Sequence, residues 1–384
     1  MGEPVVEMTQ AIAGADRAAF PTMRASFQRL LASFGAHLPY FILCAAYIGA
    51  YLFFAAGIRQ GNMIPIVSMF ATFMALSGPI LLAAALIIEL DRVVRRERSL
   101  HPLGDVAKGL MTFFTRDGRF AKGLPLFLML PPFMFVFAQV KALIPVFQPF
   151  AWDQTFDHLD RVLHFGRLPW EWLQPILGFA PITLVLNLNY NFWFLAMWLF
   201  LAHFMWVERT GVHRTRTLIT FFLTWAICGS LFAVLLSSVG PAFYGRLGLS
   251  PDPYAELMAY LRATNDVLPI WAVPAQDMLW AGYTGEEGGF LRGISAMPSI
   301  HNASALLLVL ATWNKSLFVR IVAITHAVLI FIGSIHLAWH YAVDSYLAWA
   351  MMLLIWWTVG PLARWWEGTS LARKFTATEP GGAA

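Results

Sequence analysis

Long apolar runs constrain this chain more than any other feature. A helix needs about 20 apolar residues to cross the hydrocarbon core of a bilayer. Eight stretches qualify, at roughly 38–57, 64–89, 123–147, 182–206, 217–239, 298–313, 317–337 and 341–362, the sixth being short. Each is expected to be helical, because lipid offers no partner to exposed backbone groups. Pro65, Pro79, Pro131 and Pro132 interrupt such runs, as is common in membrane helices. Composition agrees: 59% of the 384 residues are hydrophobic and only 12% are charged, against about 25% charged in soluble domains. The fold class is therefore an all-α integral membrane protein with about eight transmembrane helices. A net charge of +4 and the lack of a long basic block argue against nucleic-acid binding. Cys44 and Cys228 fall inside apolar runs and read as small core residues, not as a disulfide or metal pair. The first long run starts near Leu38, too far in for a cleavable signal peptide.

Lys and Arg counts set the expected orientation. With the N-terminus in the cytoplasm, inner connections carry 19 of the 26 Lys and Arg and outer ones carry 7. Four regions follow. Residues 1–37 form a cytoplasmic segment, 38–122 an accessory hairpin with a basic inner surface segment, 123–362 the catalytic bundle and 363–384 a cytoplasmic tail. The expected location is the bacterial inner membrane.

The connections carry their own patterns. Residues 20–35 place Met23, Phe27, Leu30, Leu31 and Phe34 on one helical face, as in a helix lying on the inner membrane surface. Residues 101–116 repeat this, preceded by Arg92, Arg95, Arg96 and Arg98, which read as a positive-inside anchor. Outside, 152–163 set Trp152, Phe156, Leu159 and Leu163 against Asp153, Asp157 and Asp160. The aspartates are expected to form a solvated helix face rather than a cation site. The longest outer connection, 240–297, is expected to cap the site.

Two short motifs carry the chemistry: Pro298-Ser299-Ile300-His301 and His340-Tyr341-Ala342-Val343-Asp344. Both fall at outer ends of spans, so the site is expected to open to the periplasm. Phosphoryl transfer needs a nucleophile, a proton donor for the leaving oxygen and groups that hold the phosphate. His340 and Asp344, at i and i+4 on one helix, would share a face, with Asp344 fixing the His340 tautomer. His301 is the expected general acid and base. Ser299 and the backbone N–H groups beside it suit phosphate oxygens. Two other readings are ordinary interfacial histidines, or a zinc site of His336, His340 and Asp344. No metal or cofactor is expected. A transporter would show internal repeats and a polar centre near mid-membrane; neither is visible.

The chain resembles the type 2 phosphatidic acid phosphatase superfamily over roughly residues 150–362. Ser295–His301 resembles the second signature block and Gly333–Asp344 the third, and the stretch from Leu159-Asp160 through Phe165-Gly166 to Pro169-Trp170 recurs in bacterial members. The resemblance implies a six-helix core, His340 as nucleophile, His301 as general acid and Asp344 as the partner of His340. It implies a lipid phosphate or phospholipid substrate among membrane lipids. The first block, with Lys and Arg-Pro, is absent; Ser237–Arg246 stands there and is similar to the inositol phosphorylceramide synthase branch. Ser334 replaces the arginine that opens the third block in many phosphatases. Arg246, Tyr244 and Arg292 are the expected phosphate-binding side chains, together with Tyr341. The branch implies a polyol acceptor such as inositol, giving a lipid phosphotransferase; with water as acceptor the same residues give a lipid phosphate phosphatase.

Overall fold

The computed structural model describes residues 23–56, 86, 102–115, 118–285 and 293–378, and these are all-helical with no strand. Helix α1 (Met23–Ala36) and α2 (Leu38–Ala55) come first, Pro39 being tolerated in the opening turn of α2. The expected span at 64–89 and the arginines of 92–98 lie outside the described residues. Next come α3 (Pro102–Thr115), α4 (Arg119–Phe147), α5 (Asp153–Leu163) and α6 (Pro169–Leu177). Two long helices follow, α7 (Ala180–Val207) and α8 (Val212–Leu235). The connection expected as a cap holds α9 (Ala255–Val267) and α10 (Ala272–Thr284). The motif-bearing part contains α11 (Ile300–Thr312), α12 (Leu317–His336) and α13 (Ala342–Glu367), and α14 (Ser370–Thr376) ends the described chain.

Six of these, α2, α4, α7, α8, α12 and α13, are long and apolar enough to span a membrane. The chain is an integral membrane protein. The expected short span is α11, whose 13 residues reach about 20 Å at 1.5 Å per residue, less than the ~30 Å hydrocarbon core. α8 is the most buried of the six and forms the axis of the bundle, packed by α13, α11 and α2. α11 in turn contacts α12, α13 and α7. Large apolar side chains such as Phe53, Phe318, Leu354 and Trp357 point out of the bundle, where lipid is their solvent.

At the end remote from His301 and His340, cations close the last turn of α7. That turn is π-helical, over His203–Val207, and leaves carbonyls without intrahelical donors. Arg214 Nε donates to Phe204 O at 2.8 Å, and Lys122 Nζ donates to Glu208 O at 2.8 Å. His37 Nδ1 donates to Ser33 O at 2.7 Å, so its Nε2 accepts from Arg214 at 3.2 Å. Burial, helped by the Arg214 charge, pushes His37 down to about 3, which keeps the ring neutral in this accepting role. An Arg214→Met variant should lose about 1–3 kcal/mol, the cost of a buried acceptor left unpaired. Thermal unfolding in detergent measures it; an unchanged midpoint would show that the arginine does not hold this end together.

Candidate active site

Three chain turns meet at the other end of the bundle. Residues 237–243 follow α8, 293–299 lead into α11, and 337–341 join α12 to α13. Backbone hydrogen bonds knit them: Ala296 N to Ser238 O at 3.1 Å, Ala242 N to Ala338 O at 2.9 Å, and Ser299 N to Asp344 O at 3.2 Å. Gly240, at φ +88°, sits where the turns touch, and a Cβ there would lie 2.9 Å from Trp339 O. Glycine alone combines that backbone angle with that closeness.

Two carboxylates of α5 hold the turns from the side. Asp153 accepts from Gly240 N at 2.9 Å, Val239 N at 3.0 Å and the Tyr341 hydroxyl at 2.8 Å. Asp160 accepts from Ala342 N at 2.9 Å and Val343 N at 3.0 Å, the first N–H groups of α13. Both aspartates are 2% exposed, while Val162 and Leu163 are 61% and 54% exposed. The expected solvated face of α5 is therefore its buried one. The inversion has a plain cause: the two carboxylates share the inner face with the buried Phe156 and meet backbone donors there, while Leu159, Val162 and Leu163 face outward. Burial pushes Asp160 up to about 7, against the pull of its two backbone donors.

His340 stands just before α13, not on it as the i, i+4 spacing suggested. Its Nδ1 lies 2.8 Å from Ala296 O and 3.2 Å from Asp344 Oδ2. A carbonyl only accepts, so Nδ1 carries the proton and the neutral ring keeps its lone pair on Nε2. Asp344 reaches back from the first turn of α13, also accepting from Tyr341 N at 3.0 Å. His301, in the first turn of α11, lies against two aromatic rings of α7, Tyr190 at 4.5 Å and Trp193 at 4.0 Å between centroids. The two histidine rings are 5.9 Å apart. Among the described residues, neither His340 Nε2 nor either His301 nitrogen has a hydrogen-bond partner.

This chemistry can be set beside known proteins. Residues 154–358, more than half of the chain, match the family model of the PAP2 superfamily. The chain belongs to the PAP2 superfamily. No curated protein and no solved structure matches it. PAP2 proteins act on lipid phosphates in membranes, with activity of the phosphatase or phosphotransferase type. The PAP2 segment opens in α5, one residue after Asp153, and ends within α13. Both histidine turns and the Asp160 carboxylate lie inside it.

The remaining expected residues are scattered by comparison. Ser299 is fully buried as the N-cap of α11, and Asn302 Nδ2 donates both to Ser299 Oγ at 3.1 Å and to Ser334 Oγ at 3.2 Å. Ser334 thus takes part in a buried network between α11 and α12. The Tyr341 hydroxyl is engaged by Asp153, and the buried Tyr244 ring lies 5.6 Å from that of Tyr254. Arg246 pairs with Asp277 of α10, which Arg262 also contacts at 3.0 Å. Arg292 lies outside the described residues. The set His336, His340 and Asp344 is not brought together. His336 ends α12 and its Nε2 lies 2.8 Å from Thr183 Oγ1, and no metal-holding group of three His, Cys, Asp or Glu occurs among the described residues.

Reading the sequence alone missed Asp153, Asp160, Tyr190 and Trp193. The signal for the aspartates was present, since a seven-residue spacing places them two turns apart on one face. Removing either carboxylate should cost at least about 1–3 kcal/mol, because buried N–H donors lose their acceptor. Asp153→Ala and Asp160→Ala are expected to melt lower in detergent and to lose activity with both histidines intact. Wild-type melting and turnover would show that α5 does not hold the turns.

Proposed function

We propose that this protein is a lipid phosphotransferase that moves a phosphoryl or phospho-headgroup group through a phosphohistidine on His340. The observation that carries the reading is the His340 environment: Nδ1 donates to Ala296 O, Asp344 lies beside it, and Nε2 is left as a nucleophile, with the His301 ring 5.9 Å away between centroids. In the first step the Nε2 lone pair bonds to phosphorus and the bond from phosphorus to the donor oxygen breaks. The donor oxygen takes a proton from His301. Asp344 offsets the positive charge that grows on the His340 ring. In the second step an acceptor hydroxyl gives its proton to His301 and bonds to phosphorus. The P–N bond breaks, its electron pair returns to Nε2, and the enzyme is restored.

An alcohol acceptor, such as a polyol of the inositol kind, is supported by the similarity of Ser237–Arg246 to the inositol phosphorylceramide synthase branch. Water in the same place gives a lipid phosphate phosphatase, a reading that PAP2 membership supports equally. The excess of Lys and Arg in the connections remote from the site supports a periplasmic active site in a bacterial inner membrane, with both termini cytoplasmic. Helices α9 and α10 are suited to cap it: Gln276 Nε2 donates to Leu337 O at 2.9 Å, which ties α10 to the turn carrying His340.

Purified protein given phosphate-labelled phosphatidic acid tests the proposal. Wild type should form acid-labile phosphoprotein and His340→Ala should form none. His301→Ala should turn over about 10²–10⁴-fold more slowly, the range for loss of a general acid. If both variants match wild type, the phosphohistidine mechanism is wrong. Label chased into added inositol or glycerol identifies a transferase, and label released as inorganic phosphate a phosphatase.

A further inference from the structure

Lys141 belongs to α4, upstream of the PAP2 segment, and in the sequence it is one more charge in a connection. A lysine near the end of a membrane helix ordinarily extends toward water. This one turns inward. Its Nζ donates to Ser295 O at 3.4 Å, and the next carbonyl, Ala296 O, is the one that orients His340. The turn rests directly on it: a Cβ at Gly293 would come within 2.8 Å of the Lys141 backbone and Cβ. The ammonium is close enough to interact electrostatically with both His301 and His340.

No described carboxylate pairs with Lys141. Acids at this end of the bundle are otherwise engaged: Asp153 and Asp160 accept backbone N–H groups, Asp344 accepts from Tyr341 N and lies beside His340, and Asp277 holds Arg246 and Arg262. An ammonium has three N–H donors, and one long bond to a carbonyl is the single one it makes to a described residue. A cation withdrawn from water without a counter-ion is costly, and a substrate phosphate between the two histidines would supply the missing charge.

We propose that Lys141 binds the substrate phosphate, so that α4, from outside the PAP2 segment, completes the active site. The inference rests on the phosphoryl-transfer reading for the identity of the substrate, but its anion site is testable without turnover. It accounts for a site in which Arg246 is held by Asp277, Tyr341 by Asp153, and Ser334 by Asn302.

The experiment compares wild type, Lys141→Met, Lys141→Gln and Lys141→Arg, with Arg167→Met as a surface control. One measurement is the inorganic phosphate concentration that gives half of the maximal rise in melting temperature. The other is KM and kcat for short-chain phosphatidic acid. Lys141→Met should raise the phosphate midpoint and KM tenfold or more, as expected when a hydrogen bond to a charged group is lost. Lys141→Arg should recover most of both, and Arg167→Met should change neither. Lys141→Gln keeps a donor for Ser295 O without the charge, and so serves if Lys141→Met does not fold. A phosphate midpoint unchanged in the uncharged variants overturns the proposal, as does a wild type that phosphate does not stabilise. Lys141-dependent phosphate binding in a wild type without transfer activity would leave Lys141 standing and overturn the proposed reaction. His340-dependent transfer with phosphate binding and KM indifferent to Lys141 would do the reverse.

Discussion

Two carboxylates on one short helix hold the reactive end of this protein together. A helix start buried in a bundle leaves N–H groups that need acceptors, and α13 begins within two residues of His340. Asp160 meets that need from another helix, accepting from Ala342 and Val343. Asp153, two turns away on α5, does the same for Val239 and Gly240 and also takes the Tyr341 hydroxyl. One rigid element thus fixes the residues on either side of the close approach between Gly240 and Trp339. His164 adds a tie, with Nδ1 donating to Asp160 O and Nε2 lying 2.8 Å from the Tyr346 hydroxyl on α13. The placement of His340 follows from this brace more than from its own few contacts.

That brace explains what could and could not be seen in the sequence. The membrane helices were legible, because backbone satisfaction in lipid makes length and apolarity nearly sufficient: 317–337 was expected and Leu317–His336 is found. The closeness of His340 and Asp344 was also legible in their four-residue spacing. They meet because a capping residue reaches back over the start of α13, not because both lie on one helix. The roles of Asp153 and Asp160 were illegible for a physical reason. An amphipathic segment assigns its polar face to water only if water is the outer solvent. On α5, Val162 and Leu163 face outward and the carboxylates face in. The partners of those carboxylates lie between 86 and 188 residues downstream, which no local pattern records.

Burial sharpens the chemistry at His340. In a weakly screening interior, a carboxylate 3.2 Å from Nδ1 acts on the ring more strongly than it would in water. The Ala296 carbonyl competes for the same proton, so Nδ1 stays protonated and the Nε2 lone pair stays free. His301 differs in kind. Tyr190 and Trp193 bracket its ring by contact, and no described polar group claims its nitrogens. A proton on that ring is therefore available to a bound oxygen, not shared with a fixed acceptor.

Hydrogen-bond accounting then narrows what the site can do. The turns that form it satisfy one another: Ala296 with Ser238, Ala242 with Ala338, Ser299 with Asp344, and α13 with Asp160. The side chains expected around a phosphate are mostly engaged elsewhere, Arg246 with Asp277 and Tyr341 with Asp153. Among the described residues several groups near the turns lack a hydrogen-bond partner, the Tyr190, Ser237 and Ser238 hydroxyls and Asp344 Oδ1 among them; the ones with the chemistry for group transfer are His340 Nε2, the His301 ring, and the Lys141 ammonium with its one long bond to Ser295 O. Buried polar groups are normally paired, so a ligand that met these would add to the stability of this end of the bundle. A nucleophilic nitrogen, a proton carrier and a cation together are complementary to a phosphate ester with a leaving oxygen. The specificity of the site lies as much in the groups its scaffold has already satisfied as in the reactive ones it leaves open.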